Sequence, residues 1–301
     1  MTATGDDADI KIGRHPSPRF VIPERVERVL LALGTERVPI HTLRETHRFA
    51  DAIGAEFHVI RVVPATARPA SSSLDCVARA LREAQAVIVA ARHTRKLCDR
   101  VLGERLPVEQ LSVRLGEFVD QVALRAAELD ATTIAVAPSH PRLGSAVMRL
   151  TRRCTCAVLI PRGHSPFLTL LAATDLRDAN GTVLRRAAEV SAALDAKSIA
   201  VHSLVEVSGA VSEADLEIRR RSLVRATRAI DEHFEAVVVR TPDAARGILD
   251  EARAIDADLI VVGARRGGPP TSSTGTAARV INDARRSVLV APVSMSGFAA
   301  S

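Results

Sequence analysis

A glycine-rich segment late in the chain has the composition of an anion-binding loop. It runs from Gly263 to Thr276, directly after the apolar run LIVV at 259–262. Glycines let the backbone approach a ligand closely, and a helix start presents unpaired N–H groups and the positive end of its dipole. The Thr276 hydroxyl and the Arg265 guanidinium would add donors for phosphate oxygens. The segment predicts a phosphate site, and a solvent loop before an ordinary helix start is the alternative.

Other chemistry-bearing residues do not form a recognisable catalytic set. The sequence has no Gly-x-Ser-x-Gly, no Walker loop ending in Gly-Lys-Ser/Thr and no His-Glu-x-x-His. Cys154 and Cys156 offer two thiols, but structural zinc normally takes four ligands, and only His140 and His164 lie near in sequence. We interpret the two cysteines as small side chains entering a strand, and His202 as a packed or rim residue. No enzyme activity beyond slow nucleotide hydrolysis is predicted.

Composition narrows the class of protein. The chain has 301 residues, enough for two domains of about 150. It is 47% hydrophobic but only 2% aromatic, which excludes a disordered chain and disfavours a nucleic-acid reader that stacks bases on aromatic side chains. Residues 166–301 carry equal numbers of acidic and basic side chains, so the whole formal charge of +6 lies in residues 1–165.

The cysteine content and the N-terminal sequence bear on location. Four cysteines are too few for a disulfide scaffold in a chain of this length. The first twenty residues are polar, without the apolar core of a secretory signal, and no apolar run approaches the roughly 18 residues of a membrane helix. We therefore expect a cytoplasmic protein without a membrane partner.

The elements that must position the glycine-rich segment occur twice. GSAVMRLTRRCTCAVLIP at 144–161 aligns without gaps with GTAARVINDARRSVLVAP at 275–292. Upstream, AAELDATTIAVA at 126–137 matches ARAIDADLIVVG at 252–263, and RVLLALGT at 28–35 matches LTLLAATD at 168–175. Because order and spacing agree, the sequence indicates an internal duplication.

Each copy alternates strands and helices in the order β-α-β-α-β-α-β-α-β. Short, almost uniformly apolar strands are typical of a parallel sheet that is covered by helices on both faces. One predicted helix, 75–101, is unusually long and places Val77, Leu81, Ala84, Ile88 and Ala91 on one face. Such a sheet binds ligands outside the carboxyl ends of its strands, where the strand order reverses.

The order of elements, the glycine-rich segment with its Gly-Ser/Thr helix start and the terminal strand VLVAP at 288–292 resemble the universal stress protein family. The resemblance covers about 23–161 and 166–292 and is to a tandem of two such domains. It implies two repeated flavodoxin-like (adenine nucleotide alpha hydrolase-like) domains, each a five-stranded parallel sheet with helices on both faces. Residues 1–22 and 293–301 would be flexible tails.

A subset of that family binds ATP through an acidic residue after the first strand and the pattern Gly-x2-Gly-x9-Gly-Ser/Thr. The resemblance therefore implies a site for ATP, with Mg²⁺ accompanying it, in the second domain only. Its residues would be Ala173, Thr174, Asp175, Val201, Gly263, Arg265, Gly267, Gly275, Thr276 and Ala277. Asp175 would lie near the ribose and Val201 beside the base.

Both copies depart from this pattern. In the second, Arg266 occupies the place of the middle glycine, Gly267 follows one residue later, and the spacing from Gly263 to Gly275 is one residue short. The first copy departs further, since Thr35 replaces the acidic residue and the loop at 138–143 is short and lacks glycine. We interpret the first copy as a degenerate partner that retains only the Gly-Ser pair at 144–145.

The resulting prediction is a binding and regulatory protein of the stress response. The two copies would pack as an intramolecular pseudo-dimer with the strands at 157–160 and 288–291 adjacent, and a homodimer would be a further assembly. Two alternatives remain open: a protein-interaction module that needs no nucleotide, and a weak ATP hydrolase. Nucleic-acid binding ranks last, because the charge excess offers only salt-sensitive attraction.

Overall fold

A computed structural model of the chain describes residues 26–34, 39–66, 72–137, 143–163, 166–178, 180–206, 212–265 and 275–293. The predicted tail at 1–22 lies outside these residues, as does all of the predicted tail at 293–301 except its first residue.

The described residues form strands and helices in the predicted alternation. The strands are β1 (Arg28–Leu33), β2 (Glu56–Val63), β3 (Leu111–Leu115), β4 (Thr133–Val136), β5 (Ala157–Ile160), β6 (Thr169–Ala173), β7 (Lys197–Val205), β8 (Glu235–Thr241), β9 (Leu259–Arg265) and β10 (Ser287–Val293). The helices are α1 (Ile40–Ala52), α2 (Ser73–Leu102), α3 (Phe118–Glu128), α4 (Leu143–Arg153), α5 (Thr182–Leu194), α6 (Glu213–Arg228), α7 (Ala244–Ala254) and α8 (Thr276–Asp283). A single 3-10 turn, Val108–Gln110, precedes β3. In the described part of the chain, no helix has the length and apolarity needed to cross a bilayer.

All ten strands join one sheet in the order β3-β2-β1-β4-β5-β10-β9-β6-β7-β8. Every neighbouring pair is parallel except the central pair β5 and β10, which is antiparallel, with Leu159 opposite Leu289. An antiparallel central pair relates the first five strands to the last five by an approximate twofold rotation. The α/β fold class predicted from the sequence is confirmed, with five parallel strands in each half and helices on both faces.

Helices cover the two faces of the sheet in matching sets. Buried residues of α1, α2, α5 and α6 share one apolar cluster with one set of strand side chains. Buried residues of α3, α4, α7 and α8 share a second cluster on the opposite face. Because the strands are covered on both faces, most of their side chains are aliphatic, in keeping with the scarcity of aromatic residues.

Buried contacts hold the two halves together on both faces. On one face, Glu45 of α1 is almost fully buried and accepts hydrogen bonds from the backbone N–H of Gly163, at 2.7 Å, and from the Ser287 hydroxyl. On the other, α4 packs on α8, and Val147 and Leu150 share a buried apolar cluster with Val280 and Ile281. Helix α4 begins at Leu143, so Gly144 is its second residue.

The long helix differs from its predicted role. The sequence pattern placed Val77, Leu81 and Ile88 on one face of the helix, as expected for a side that packs on a core. In the structure all three are exposed, and α2 contacts the core through Thr94, Cys98 and Val101 near its C-terminal end. Hydrophobic periodicity identified the helix correctly but did not identify the face that the fold covers.

Candidate functional site

The candidate site lies at the carboxyl ends of β6 and β9. These two strands are parallel neighbours, with Ala173 opposite Val262. The chain leaves β6 toward β7 and β8 on one side and returns to β9 on the other, so the strand order reverses between β6 and β9. This is the position at which open α/β sheets form a ligand crevice.

An ion pair joins the two strand ends. Nη2 of Arg265, the last residue of β9, lies 3.2 Å from Oδ2 of Asp175, which follows β6. Both side chains are more than half exposed, so the pair contributes little to stability and is available for exchange with a charged ligand. The structure thus brings together two residues that are 90 positions apart in sequence and that the resemblance placed in one site.

Hydrogen bonds fix the turn that carries Asp175. Its Oδ1 accepts from the backbone N–H of Arg177 at 2.9 Å, and the Thr174 hydroxyl accepts from the N–H of Leu176 at 3.1 Å. Nδ1 of His202 on β7 lies 2.9 Å from the Thr174 carbonyl oxygen, so this nitrogen carries the proton and donates. His202 is buried and positions the turn, a packed role that matches its interpretation from the sequence.

Among the described residues, no side chain caps the N-terminus of α8. Its N-cap is Gly275, and Thr276 and Gly275 are both exposed. The first N–H groups of a helix have no partner within the helix, so the start of α8 presents donors and a positive dipole end toward solvent. Ala277, the next residue, is half-buried.

Helix α5 starts with the same two residue types but is capped. Gly181 is its N-cap and Thr182 its first residue. Here the carboxylate of Asp178 accepts from the N–H groups of Asn180 and Val183, at 3.2 and 3.3 Å, and from the Thr182 hydroxyl at 3.3 Å. The helix start that follows β6 is therefore occupied by the chain's own carboxylate, whereas no carboxylate of the described residues occupies the helix start that follows β9.

A second ion pair anchors α8. Arg279 donates two hydrogen bonds, of 2.5 and 2.6 Å, to the carboxylate of Asp243, which caps the N-terminus of α7. The Arg279 guanidinium holds the pKa of Asp243 below its ordinary value, and Asp243 in turn raises the pKa of Arg279. Because α7 follows β8, this contact places the start of α8 at the carboxyl edge of the sheet.

Gly263 serves packing in this structure. A Cβ built on it would stand 2.9 Å from Cγ2 of Val183 in α5 and 2.9 Å from Cγ2 of Val293 in β10. These distances are too short for two carbon atoms, so only glycine fits between the helix and the strand. The resemblance assigned this glycine to the ligand, and the structure gives it a role in positioning α5.

Two of the residues expected at the site are buried below the strand ends. Val201 on β7 has no exposed surface, and Ala173 at the end of β6 is also buried. Side chains alternate along a strand, so Ser203 lies on the same side as Val201 and nearer the carboxyl edge, where it is partly exposed. Its hydroxyl donates to the carbonyl oxygen of Ala244 in α7 at 3.3 Å.

Parts of both predicted loops lie outside the described residues. These are Gly267 and Arg266 in the second half, and Thr35, Glu36 and most of the loop at 138–143 in the first half. Gly144, the remaining glycine of the first half, lies in the first turn of α4, and a Cβ there would meet the Asn282 side chain of α8. Cys154 and Cys156 are buried near the start of β5.

Comparison with known proteins identifies the second half. Residues 166–292 match the profile of the universal stress protein family. The second half of the chain belongs to that family. Curated proteins give no match to the sequence.

Solved universal stress proteins share the fold of the whole chain. One from Archaeoglobus fulgidus DSM 4304 is 16% identical, covers 87% of this chain and 97% of its own, and has a TM-score of 0.61. One described as a putative universal stress protein, from Pseudomonas aeruginosa UCBPP-PA14, is 18% identical, covers 89% of this chain and 93% of its own, and has a TM-score of 0.54. At these identities the likeness concerns the fold, and it extends over both halves of the sheet.

Proposed function

We propose that this universal stress protein binds an adenine nucleotide in its second half, as a binding and regulatory protein of the stress response. The observation that carries the proposal is the start of α8, which no described side chain caps and which lies at the same carboxyl edge of the sheet as the exposed Arg265. A phosphate there would receive backbone N–H groups, the Thr276 hydroxyl and a guanidinium. Family membership and the partial match to the ATP-binding pattern favour adenine.

The pair formed by Asp175 and Arg265 gives the site a way to respond to the ligand. In the structure, each residue neutralises the other at 3.2 Å. On binding, Arg265 would move to the phosphates and leave the Asp175 carboxylate to accept hydrogen bonds from ribose hydroxyls. Each charged side chain therefore has a polar partner both before and after the nucleotide binds, so binding leaves no unpaired charge.

A triphosphate would bring its own cation. Among the described residues, no group of three or more His, Cys, Asp or Glu side chains is placed to hold a metal. Mg²⁺ commonly keeps several waters and is bound through phosphates with one or two protein carboxylates. We therefore infer that ATP, if it is the nucleotide, enters as its Mg²⁺ complex instead of filling a preformed metal site.

The two halves would function as an intramolecular pseudo-dimer. The antiparallel pairing of β5 with β10 and the buried Glu45 support this arrangement. If the pairing is intramolecular, cross-links between the two halves should form within one chain and persist on dilution to nanomolar protein. Cross-links that appear only between chains would contradict it.

Two matched substitutions test the nucleotide site. Thr276→Val removes a hydroxyl at the uncapped start of α8, and Thr182→Val removes the equivalent hydroxyl at the capped start of α5. Since a hydrogen bond to a charged group contributes about 1.5–3 kcal/mol, calorimetric titration with ATP, ADP and AMP should show affinity reduced roughly 10- to 100-fold by Thr276→Val. Thr182→Val should leave it unchanged.

The outcomes separate the remaining functions. Adenosine, which lacks phosphate, should bind equally to wild type and Thr276→Val. No binding of any adenine nucleotide at millimolar concentration would overturn the proposal and leave the nucleotide-independent interaction module. Release of phosphate from ATP that is lost in Asp175→Ala would instead indicate a weak hydrolase.

A further inference from the structure

Helix α2 is much longer than its counterpart in the other half. It has 30 residues, whereas α6, which occupies the equivalent position after β7, has 16. The difference of 14 residues equals two heptads, and α2 is about 45 Å long at 1.5 Å per residue. The first half has therefore gained a helical extension that the repeated fold does not require.

The added length projects from the body of the protein. The buried residues of α2 are Thr94, Cys98 and Val101, all in its last ten positions. None of residues 73–93 is buried. One hydrogen bond, from the backbone N–H of Thr66 to Oε1 of Glu83 at 3.0 Å, ties the extension to the chain after β2.

The projecting part carries an apolar stripe with coiled-coil spacing. Leu74, Val77, Leu81 and Ile88 are 80, 58, 66 and 60% exposed. With Ala84 they follow one another at intervals of 3, 4, 3 and 4 residues, the a and d positions of a heptad repeat. Among the described residues nothing covers this stripe, and contiguous exposed apolar surface of this kind marks an interaction site.

The positions beside the stripe are free of charge except at one end. The flanking heptad positions are Ser73, Ala78, Ala80, Gln85, Val87 and Arg92. In an antiparallel pair the two arginines would stand about 28 Å apart along the helix axis, and the other charged residues of the extension lie outside these positions. A twofold interface must be complementary to itself, and a surface without charge meets a copy of itself without repulsion. The alanines also allow two helices to approach closely.

We propose that residues 74–91 of α2 pair with the same segment of a second copy of this chain as a short antiparallel coiled coil. In the twofold register centred between residues 82 and 83, Leu74 faces Ala91, Val77 faces Ile88, and Leu81 faces Ala84. Leu74 and Leu81 each meet an alanine, and Val77 meets Ile88 in the layers between them, so the layers fill evenly. A parallel pair would place Ala84 opposite Ala84 and leave a gap.

The size of the contact fixes its strength. The seam is about 27 Å long and about 10 Å wide on each helix, well below the roughly 800 Å² that each partner buries in a standard specific interface. We therefore expect a weak, reversible dimer that forms as the protein concentration rises. This association involves neither the β5–β10 pairing nor the nucleotide site.

Sedimentation of the full chain from about 1 to 200 μM tests the dimer. The weight-average mass should rise with concentration from the 32.2 kDa of one chain toward twice that value. Leu81→Glu, at the centre of the seam, should hold the mass at that of one chain across the range, a loss of affinity of at least 100-fold. Ile218→Glu on α6, a similarly exposed apolar position outside the seam, is the matched control and should dimerise like wild type.

Disulfide trapping tests the antiparallel register in a Cys76→Ser background. Leu74→Cys combined with Ala91→Cys should give a covalent dimer under mild oxidation, because the two positions face each other across the twofold axis. Leu74→Cys alone should not, since its two copies lie about 26 Å apart along the helix axis. A wild-type protein that stays monomeric at 200 μM, a Leu81→Glu variant that still dimerises, or cross-linking of Leu74→Cys alone would overturn the proposal.

Discussion

Replacing Gly263 with alanine separates a packing role from a ligand role at the candidate site. A glycine retained for close approach to a nucleotide tolerates an added methyl group as long as no ligand is present. A glycine retained for packing does not, because the methyl group has no space even in the free protein. The two roles therefore predict different stabilities for the ligand-free variant.

The structure sets the size of the effect. The added Cβ would stand 2.9 Å from methyl carbons of both Val183 and Val293. Valine side chains are stiff about χ1, so relief requires α5 or β10 to move. One extra methyl group in a packed interior costs about 1–3 kcal/mol. At about 2–4 °C per kcal/mol for a domain of 150–250 residues, the melting temperature should fall by about 2–12 °C.

Urea and thermal unfolding of the nucleotide-free protein measure this effect, with Gly163→Ala as the control. A Cβ at Gly163 meets no atom within 4 Å, so that variant should be unchanged or stabilised by up to about 1 kcal/mol. The double variant Gly263→Ala/Val183→Ala should lose less stability than the sum of the losses of the two single variants, because the smaller side chain at 183 leaves room for the added Cβ. A Gly263→Ala protein within 0.5 kcal/mol of wild type would refute the packing role.

Three further outcomes follow from single side chains. Burial lowers the pKa of His58, so the unfolded chain takes up a proton first as the pH falls through about 6.5. The free energy of unfolding should therefore decrease from that pH toward the lowered folded-state pKa. In urea unfolding at a series of pH values, His58→Gln should flatten this part of the pH dependence, and an unchanged slope would contradict the assignment. Burial raises the pKa of Cys98 to about 11, and Cys76 is the exposed cysteine of the four. At pH 8 a thiol reagent should therefore label Cys76 alone before the protein unfolds. Rapid labelling of a second thiol would contradict the burial of the other three cysteines. Asp178→Ala removes the cap of α5 and should cost about 1 kcal/mol, measured by urea unfolding, and no loss would mean that the cap is replaced by water.

The sheet could be predicted from the sequence because most of its strands are apolar runs. A run such as LIVV at 259–262 is compatible with burial on both faces and with little else, and the repeat then fixed the order of elements. Helix ends were less certain. Helix α6 ends at Arg228, although the apolar Ile230 would continue its pattern. The helix ends there because the N–H groups of Ile230 and Asp231 both bond back to the Thr227 carbonyl in a closing turn.

The details of the site depended on contacts that no local pattern encodes. Whether Val201 or Ser203 reaches the surface is decided by where the core ends on β7. Whether Gly263 contacts a ligand or a neighbouring helix is decided by the approach of Val183, which is 80 positions away. The uncapped start of α8 was predictable as a Gly-Thr pair, but the capped start of α5 has the same pair, and only the position of Asp178 distinguishes the two.

The loop at 138–143 of the first half lacks glycine, yet this half helps to position the helix that carries the candidate site of the second half. Helix α8 is held on one side by the bond between Arg279 and Asp243. On the other side it packs on α4, and its Val280 and Ile281 share a buried apolar cluster with Val147 and Leu150 of that helix. A helix start is an effective anion site only when its N–H groups are fixed in direction. The support comes from this apolar packing, because the side chain that a Cβ at Gly144 would meet, Asn282, is exposed and can turn away. The first half acts in this way as a fixed support for the helix that carries the candidate site.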